Sequence, residues 1–138
     1  MPVIVALDFG MKRTGIAISD NLGLIATPFK TVPSEILLDE LQIIMDQHQV
    51  NTLVIGQPRK LSGEYSDLEQ NILKLIDYIA SKFPELDICR QDERFTSSLS
   101  QYDLIRSGVG KKKRRDKTLL DKMSAALILQ SFLDRQKH

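Results

Sequence analysis

The chain has 138 residues, 42% hydrophobic and 27% charged, with a formal net charge of +1. That length suits one domain with its own core, and the composition matches neither a disordered segment nor a fibrous repeat. The longest apolar runs are about five residues, against the roughly 20 that a bilayer-spanning helix needs. A single cysteine, Cys89, rules out an internal disulfide, and with two histidines it cannot furnish a zinc centre of thiolate and imidazole ligands. The opening Met1-Pro2-Val3-Ile4-Val5-Ala6-Leu7 has no basic region and meets an acid at Asp8. No signal peptide is expected, and the expected compartment is the cytoplasm.

Val3–Leu7 is short, β-branched and continuously apolar, which predicts a strand buried on both faces. A turn through Gly10 and Lys12 leads to a second predicted strand, Thr14–Ser19. Asp20-Asn21-Leu22-Gly23 carries turn chemistry, and Leu24–Thr27 reads as a third strand. Pro28 lacks an amide donor, so that strand belongs at a sheet edge. Short turns make these three strands antiparallel.

The pattern then becomes helical. Ser34–His48 carries Leu37, Leu41, Ile44 and Met45 at helical spacing, and Thr52–Gly56 is another buried strand. Gln57–Gly63 is a loop bearing Arg59 and Lys60. Ser66 and Glu69 have capping-box spacing, ahead of a helix that turns Leu68, Ile72, Leu75, Ile76, Ile79 and Phe83 inward and stops at Pro84. Leu86–Gln91 reads as a fifth strand, 96–107 as a helix ended by Gly108, and Thr118–Gln136 as the last helix. The fold class is α/β. One mixed five-stranded sheet, with three antiparallel and then two parallel strands, is flanked by helices in the order βββαβαβαα.

The small net charge hides a polarity. Residues 1–105 are net −6, whereas 106–122 are net +6, centred on Lys111-Lys112-Lys113-Arg114-Arg115-Asp116-Lys117. Such a run attracts polyanions, unless it is only a solvated loop.

Three acids invite a chemical reading. Asp8 closes a parallel-type strand, at the sheet end where open α/β proteins gather ligands, or else caps its turn through amides near Gly10. Glu93 follows the fifth strand in Asp92-Glu93-Arg94, and alternation lets at most one of Asp92 and Glu93 face Asp8. Asp121 heads a stripe with Ala125, Ile128 and Phe132, but Thr118 to Asp121 also has capping-box spacing. Three carboxylates on three elements, with few spare cations near them, would suit Mg²⁺ or Mn²⁺. Two such ions about 4 Å apart can activate water and stabilise the leaving oxygen of a phosphodiester. His48, His138 and Cys89 do not assemble a nucleophilic set.

Four stretches, in order and together spanning the chain, resemble the YqgF/RuvX family. They are Asp8-Phe9-Gly10-Met11-Lys12-Arg13-Thr14-Gly15-Ile16-Ala17-Ile18-Ser19-Asp20, Gly56-Gln57-Pro58 with Gly63, Asp92-Glu93-Arg94-Phe95-Thr96, and the helix from Asp121 to Gln130. Departures are mild: Gln57 stands for an aliphatic residue, Ser97 for a threonine and Ser124 for an alanine. The resemblance implies an RNase H-like fold related to RuvC over a single domain, 1–138. Its members are described as Holliday-junction resolvases and as nucleases that mature the 5′ end of pre-16S rRNA. The resemblance carries catalytic, metal-binding roles onto Asp8, Glu93 and Asp121. Lys12, Arg13, Arg59, Lys60, Arg94, Lys111, Lys112, Lys113, Arg114, Arg115 and Lys117 are the expected nucleic-acid contacts. The implied partners are structured RNA, ribosomal precursor particles or branched DNA, engaged by a monomer or weak homodimer without a membrane. A non-catalytic binding factor linked to transcription is the competing class. An ATPase of the actin and sugar-kinase type would need two such domains.

Overall fold

The computed structural model describes residues 2–58, 62, 66–92 and 117–136. The helix expected at 96–107 and the basic residues 111–116 lie outside them. The strands form where β-branched and apolar residues run together. They are β1 (Val3–Phe9), β2 (Arg13–Ser19), β3 (Ala26–Pro33), β4 (Val50–Gln57) and β5 (Asp87–Asp92). They lie in one sheet in the order β3-β2-β1-β4-β5. β2 is antiparallel to β1 and β3, whereas β4 is parallel to β1 and β5 to β4. This is the expected mixed sheet.

The third strand starts later than expected. Leu24 and Ile25 stand exposed in the turn, and β3 runs instead from Ala26 through Pro28 to Pro33. Pro28 is accommodated because β3 is an edge strand and its register with β2 shifts between Ile16 and Ala17. A bulge leaves an amide unpaired, which is where a strand tolerates proline. The turn before it is held by Asp20, whose Oδ1 accepts from the amides of Leu24 at 2.7 Å and Ile25 at 3.0 Å. The Ile25 and then the Leu24 amide hold this carboxyl below its ordinary value near 3.8. Folding therefore favours the charged form. The turn should be fully held above pH 4 and lost as pH falls through the depressed value. Amide NMR shifts of Leu24 and Ile25 should titrate in that acid range, and in Asp20→Asn they should not.

The two sheet faces differ in side-chain size. Val5, Leu7, Ile16, Leu53 and Ile55 form one face and pack on α1 (Leu37–Gln47) and α2 (Glu69–Lys82) through Leu37, Leu41, Ile44, Ile72 and Ile79. Ala6, Ala17 and Val54 form the other and pack on α3 (Lys117–Gln136) through Ala125, Ile128, Leu129, Phe132 and Leu133. Small residues let a helix lie close to the strands. The α3 stripe is the one its spacing predicts, and Gln130 ties it to the edge by accepting from Ala26 N at 3.0 Å and donating to Leu24 O at 3.1 Å.

Two local expectations fail. Ser34–Ile36 is a 3-10 turn rather than the first turn of α1. The Ser66–Glu69 capping box does not form: Ser66 Oγ is buried without a partner, and α2 has no side-chain cap. The Glu69 carboxylate is drawn away by Arg90 of β5, which meets it through Nη2 at 2.6 Å and Nη1 at 3.0 Å. Arg90 also donates to the carbonyls of Ile55 and Gly56, and Gln57 donates to Glu69 at 3.2 Å. One guanidinium thus fastens the end of β4 to α2. Lys cannot reproduce a fork plus two carbonyl bonds. Arg90→Lys should therefore cost about 1–2 kcal/mol in denaturant unfolding.

Candidate active site

Asp8 lies inside β1, one residue short of its end. Alternation from Ala6 puts it on the α3 face of the sheet. Across β2 its partner is Gly15. Across β4 its neighbour is Gly56, one residue beyond the Leu7–Ile55 pair, and Gly56 in turn pairs with Gln91 of β5. One row of the sheet therefore reads Gly15, Asp8, Gly56, Gln91. The only carboxylate in the row is flanked on both sides by residues without side chains, so no side chain of the row stands directly beside it. At the far end of the row Gln91 is 9% exposed and its Oε1 has no hydrogen-bond partner.

The backbone of α3 fills the space over Gly15. A Cβ placed on Gly15 would meet the carbonyl oxygen of Asp121 at 2.0 Å. Only glycine permits that approach. Since Gly15 and Asp8 are cross-strand partners with Cα atoms about 4.5–5.5 Å apart, Asp121 enters the same end of the same face. Its Oδ2 accepts from Arg13 Nε at 2.9 Å. The helix begins at Lys117, so Thr118 is not its cap. Asp121 makes an ion pair instead of a capping box, which overturns the capping expectation. Of the few cations expected near these acids, Arg13 is the one the structure places on Asp121.

The β1–β2 turn is braced from below. Gly10 N donates to Arg13 O at 3.0 Å, Ser34 N donates to Lys12 O at 2.9 Å, and Ser34 Oγ donates to Gly10 O. The Gly10 amide is thus engaged with Arg13, so it neither caps Asp8 nor is open to a phosphate. Lys12 and Met11 at the tip are exposed. On β5, Cys89 packs toward α3, and Asp92 shares the opposite face with Ile88 and Arg90. Of the adjacent acids, Asp92 is therefore directed away from Asp8.

Glu93, Arg59, Lys60, Arg94, Lys111, Lys112, Lys113, Arg114, Arg115 and the side chain of Lys117 lie outside the described residues. Among the described residues no group of three His, Cys, Asp or Glu side chains could hold a metal. Those present still fit a hard cation in kind. Asp8 and Asp121 offer carboxylate oxygens, and Arg13 already places a positive charge on Asp121. Reading the sequence alone missed Gly15 as the notch for α3. The available signal was a glycine in mid-strand, which marks close backbone approach.

The strand order, the sheet directions and the closing helix define an RNase H-like α/β fold. RuvC from T. thermophilus, solved in complex with a Holliday junction substrate, has the same fold. It matches with a TM-score of 0.57 at 14% identity, over 99% of this chain and 97% of that one. The chain belongs to the RuvX family, described as Holliday junction resolvase, which it matches over residues 2–135. It is 43% identical over 131 residues to a protein of Porphyromonas gingivalis, covering 95% of each chain. It is 35% identical over 137 residues to one of Flavobacterium johnsoniae, covering 99% of each. Both relatives carry the name "Putative pre-16S rRNA nuclease". The four sequence motifs and these matches agree on the family.

Proposed function

We propose that this chain is a divalent-metal-dependent endonuclease, a single RNase H-like domain that hydrolyses phosphodiester bonds of structured RNA. Its task would be 5′-end maturation of pre-16S rRNA on precursor particles in the cytoplasm. The observation that carries the reading is the row in which Asp8 stands between Gly15 and Gly56, with the Asp121 backbone seated on Gly15 at the same end of the sheet. A phosphodiester is bulky and anionic. It needs a cleft without side chains beside the acids, and cations to offset them. Asp8, Asp121 and Glu93 would hold Mg²⁺ or Mn²⁺, which when bound supplies Lewis-acid charge and an activated water.

Arg13 pairs with Asp121, Lys12 is exposed at the tip of the same turn, and Arg59, Lys60, Arg94 and residues 111–117 supply further charge along the sequence. Lys and Arg hold phosphates without reading bases. Changing Lys111, Lys112, Lys113, Arg114 and Arg115 to Gln should flatten the log–log salt dependence of RNA binding by roughly two, if about three of them contact one strand. Among the described residues no helix is long and apolar enough to cross a membrane.

The decisive experiment incubates the purified chain with Mg²⁺ or Mn²⁺ and, separately, 5′-extended 16S precursor or four-way DNA junctions, beside Asp8→Asn. Metal-dependent cutting of the precursor that Asp8→Asn loses supports the reading. Junction cutting alone moves the substrate to branched DNA, the description carried by the family. No cutting of either substrate sinks it in favour of a binding factor.

A further inference from the structure

The Arg13–Asp121 pair has the form of an exchangeable contact. Its single hydrogen bond among the described residues runs from Nε to Oδ2 at 2.9 Å, and the side chains are 34% and 25% exposed. Neither Asp121 Oδ1 nor the terminal nitrogens of Arg13 make a hydrogen bond among the described residues. A guanidinium that clamps a carboxylate permanently uses two parallel bonds, as Arg90 does on Glu69. The Arg13 pair uses one and faces water, where ion pairs are weak. Nor does α3 depend on it for docking, since Ala125, Ile128, Leu129, Phe132 and Leu133 are buried against the sheet and Gln130 bonds the edge.

Its place is informative. Arg13, Gly15 and Ala17 alternate onto the α3 face, so Arg13 rises from the strand that carries the notch, two residues before Gly15. Carboxylates that share a metal site repel one another until a cation arrives. Arginine stays charged at every working pH.

We infer that Arg13 is the resident counter-ion of Asp121, exchanged for the divalent ion when the site loads and thereby freed to meet a substrate phosphate. The inference rests on the metal-dependent reading above. It makes Arg13 a positioning residue with two opposed effects: it lowers metal affinity in the free protein and raises affinity for nucleic acid. A purely structural Arg13 predicts the contrary sign for metal, because a loosened site binds an ion less well.

The test titrates the full chain with Mn²⁺ and follows free ion by electron paramagnetic resonance, for wild type, Arg13→Gln, Arg13→Met and Asp121→Asn. Removing a unit charge about 5 Å from a divalent ion in largely aqueous surroundings should tighten binding roughly ten-fold in both Arg13 variants. Arg13→Met keeps the apolar stem, so one variant can decide if the other fails to fold. Asp121→Asn should weaken Mn²⁺ at least ten-fold. RNA binding measured with the ion bound should weaken about three-fold in the Arg13 variants, whereas in EDTA, where Arg13 still holds Asp121, it should change little.

Unchanged or weaker Mn²⁺ binding in the Arg13 variants, with Asp121→Asn still deficient, overturns the counter-ion role and leaves the metal reading intact. Mn²⁺ binding that is absent from all four proteins, or equal in wild type and Asp121→Asn, overturns both.

Discussion

Gly15→Ala is expected to lower stability by about 3 kcal/mol, and cleavage by about 100-fold in whatever fraction remains folded. The added methyl group would lie 2.0 Å from the carbonyl oxygen of Asp121, 2.3 Å from its carbonyl carbon and 2.8 Å from Lys122 N. All three are backbone atoms, so no rotamer change relieves the clash. The helix or the strand must move by on the order of 1 Å, and overpacking of this kind typically costs 1–3 kcal/mol or more. Asp121 moves with the helix, and a misplacement of about 1 Å can cost 10²-fold in rate. Gly23→Ala is the matched control. It adds the same methyl where nothing lies within 4 Å, and meets only the strain of φ +70. It should cost about 1–2 kcal/mol and leave cleavage of the folded protein unchanged. Urea unfolding with single-turnover cleavage separates the two effects. Equal loss of activity in both variants would remove Gly15 from the site.

The sequence was most legible where burial repeats with the period of an element. The alternation and runs of Val3–Leu7 and Thr52–Gly56, and the Ala125–Ile128–Phe132 stripe, need only local periodicity. They yielded the sheet and its closing helix. Leu24 and Ile25 misled because apolar residues in a turn look the same in sequence as apolar residues in a strand. Nothing local tells that the strand starts only at Ala26 and continues through Pro28 to Pro33.

Long-range partners were the other blind spot. Glu69 has the spacing of a cap, but its carboxylate is taken by Arg90, 21 residues away. Asp121 has the spacing of a cap too, and is taken by Arg13, 108 residues away. In both cases a charged partner outbids a backbone amide, and only the fold reveals where the partner stands. Asp8 could be picked out as an acid near a strand end. Its setting between Gly15 and Gly56 depends on strand register, which motifs do not specify.

Asp8→Asn is expected to reduce metal-dependent cleavage about 10³-fold while leaving the fold intact. Asparagine keeps the shape of the side chain but removes the charge that a divalent ion requires, and several kcal/mol of transition-state stabilisation go with it. Stability should change by no more than about 1 kcal/mol, because asparagine creates no cavity and keeps one acceptor oxygen in the same place. Asp121→Asn separates two accounts of the same residue. A helix cap would give a loss of about 1 kcal/mol with activity retained. A metal ligand paired with Arg13 gives a smaller stability loss, of the few tenths to 1 kcal/mol typical of a part-exposed pair. It also gives a fall in cleavage comparable to that of Asp8→Asn. Thermal unfolding and cleavage measured on the same preparations, across a Mn²⁺ series, distinguish them. A ligand variant should recover some activity at high Mn²⁺ because its defect is affinity, whereas a cap variant has no metal-dependent defect to recover. Wild-type cleavage by Asp8→Asn at low Mn²⁺ would take the chemistry away from this end of the sheet altogether.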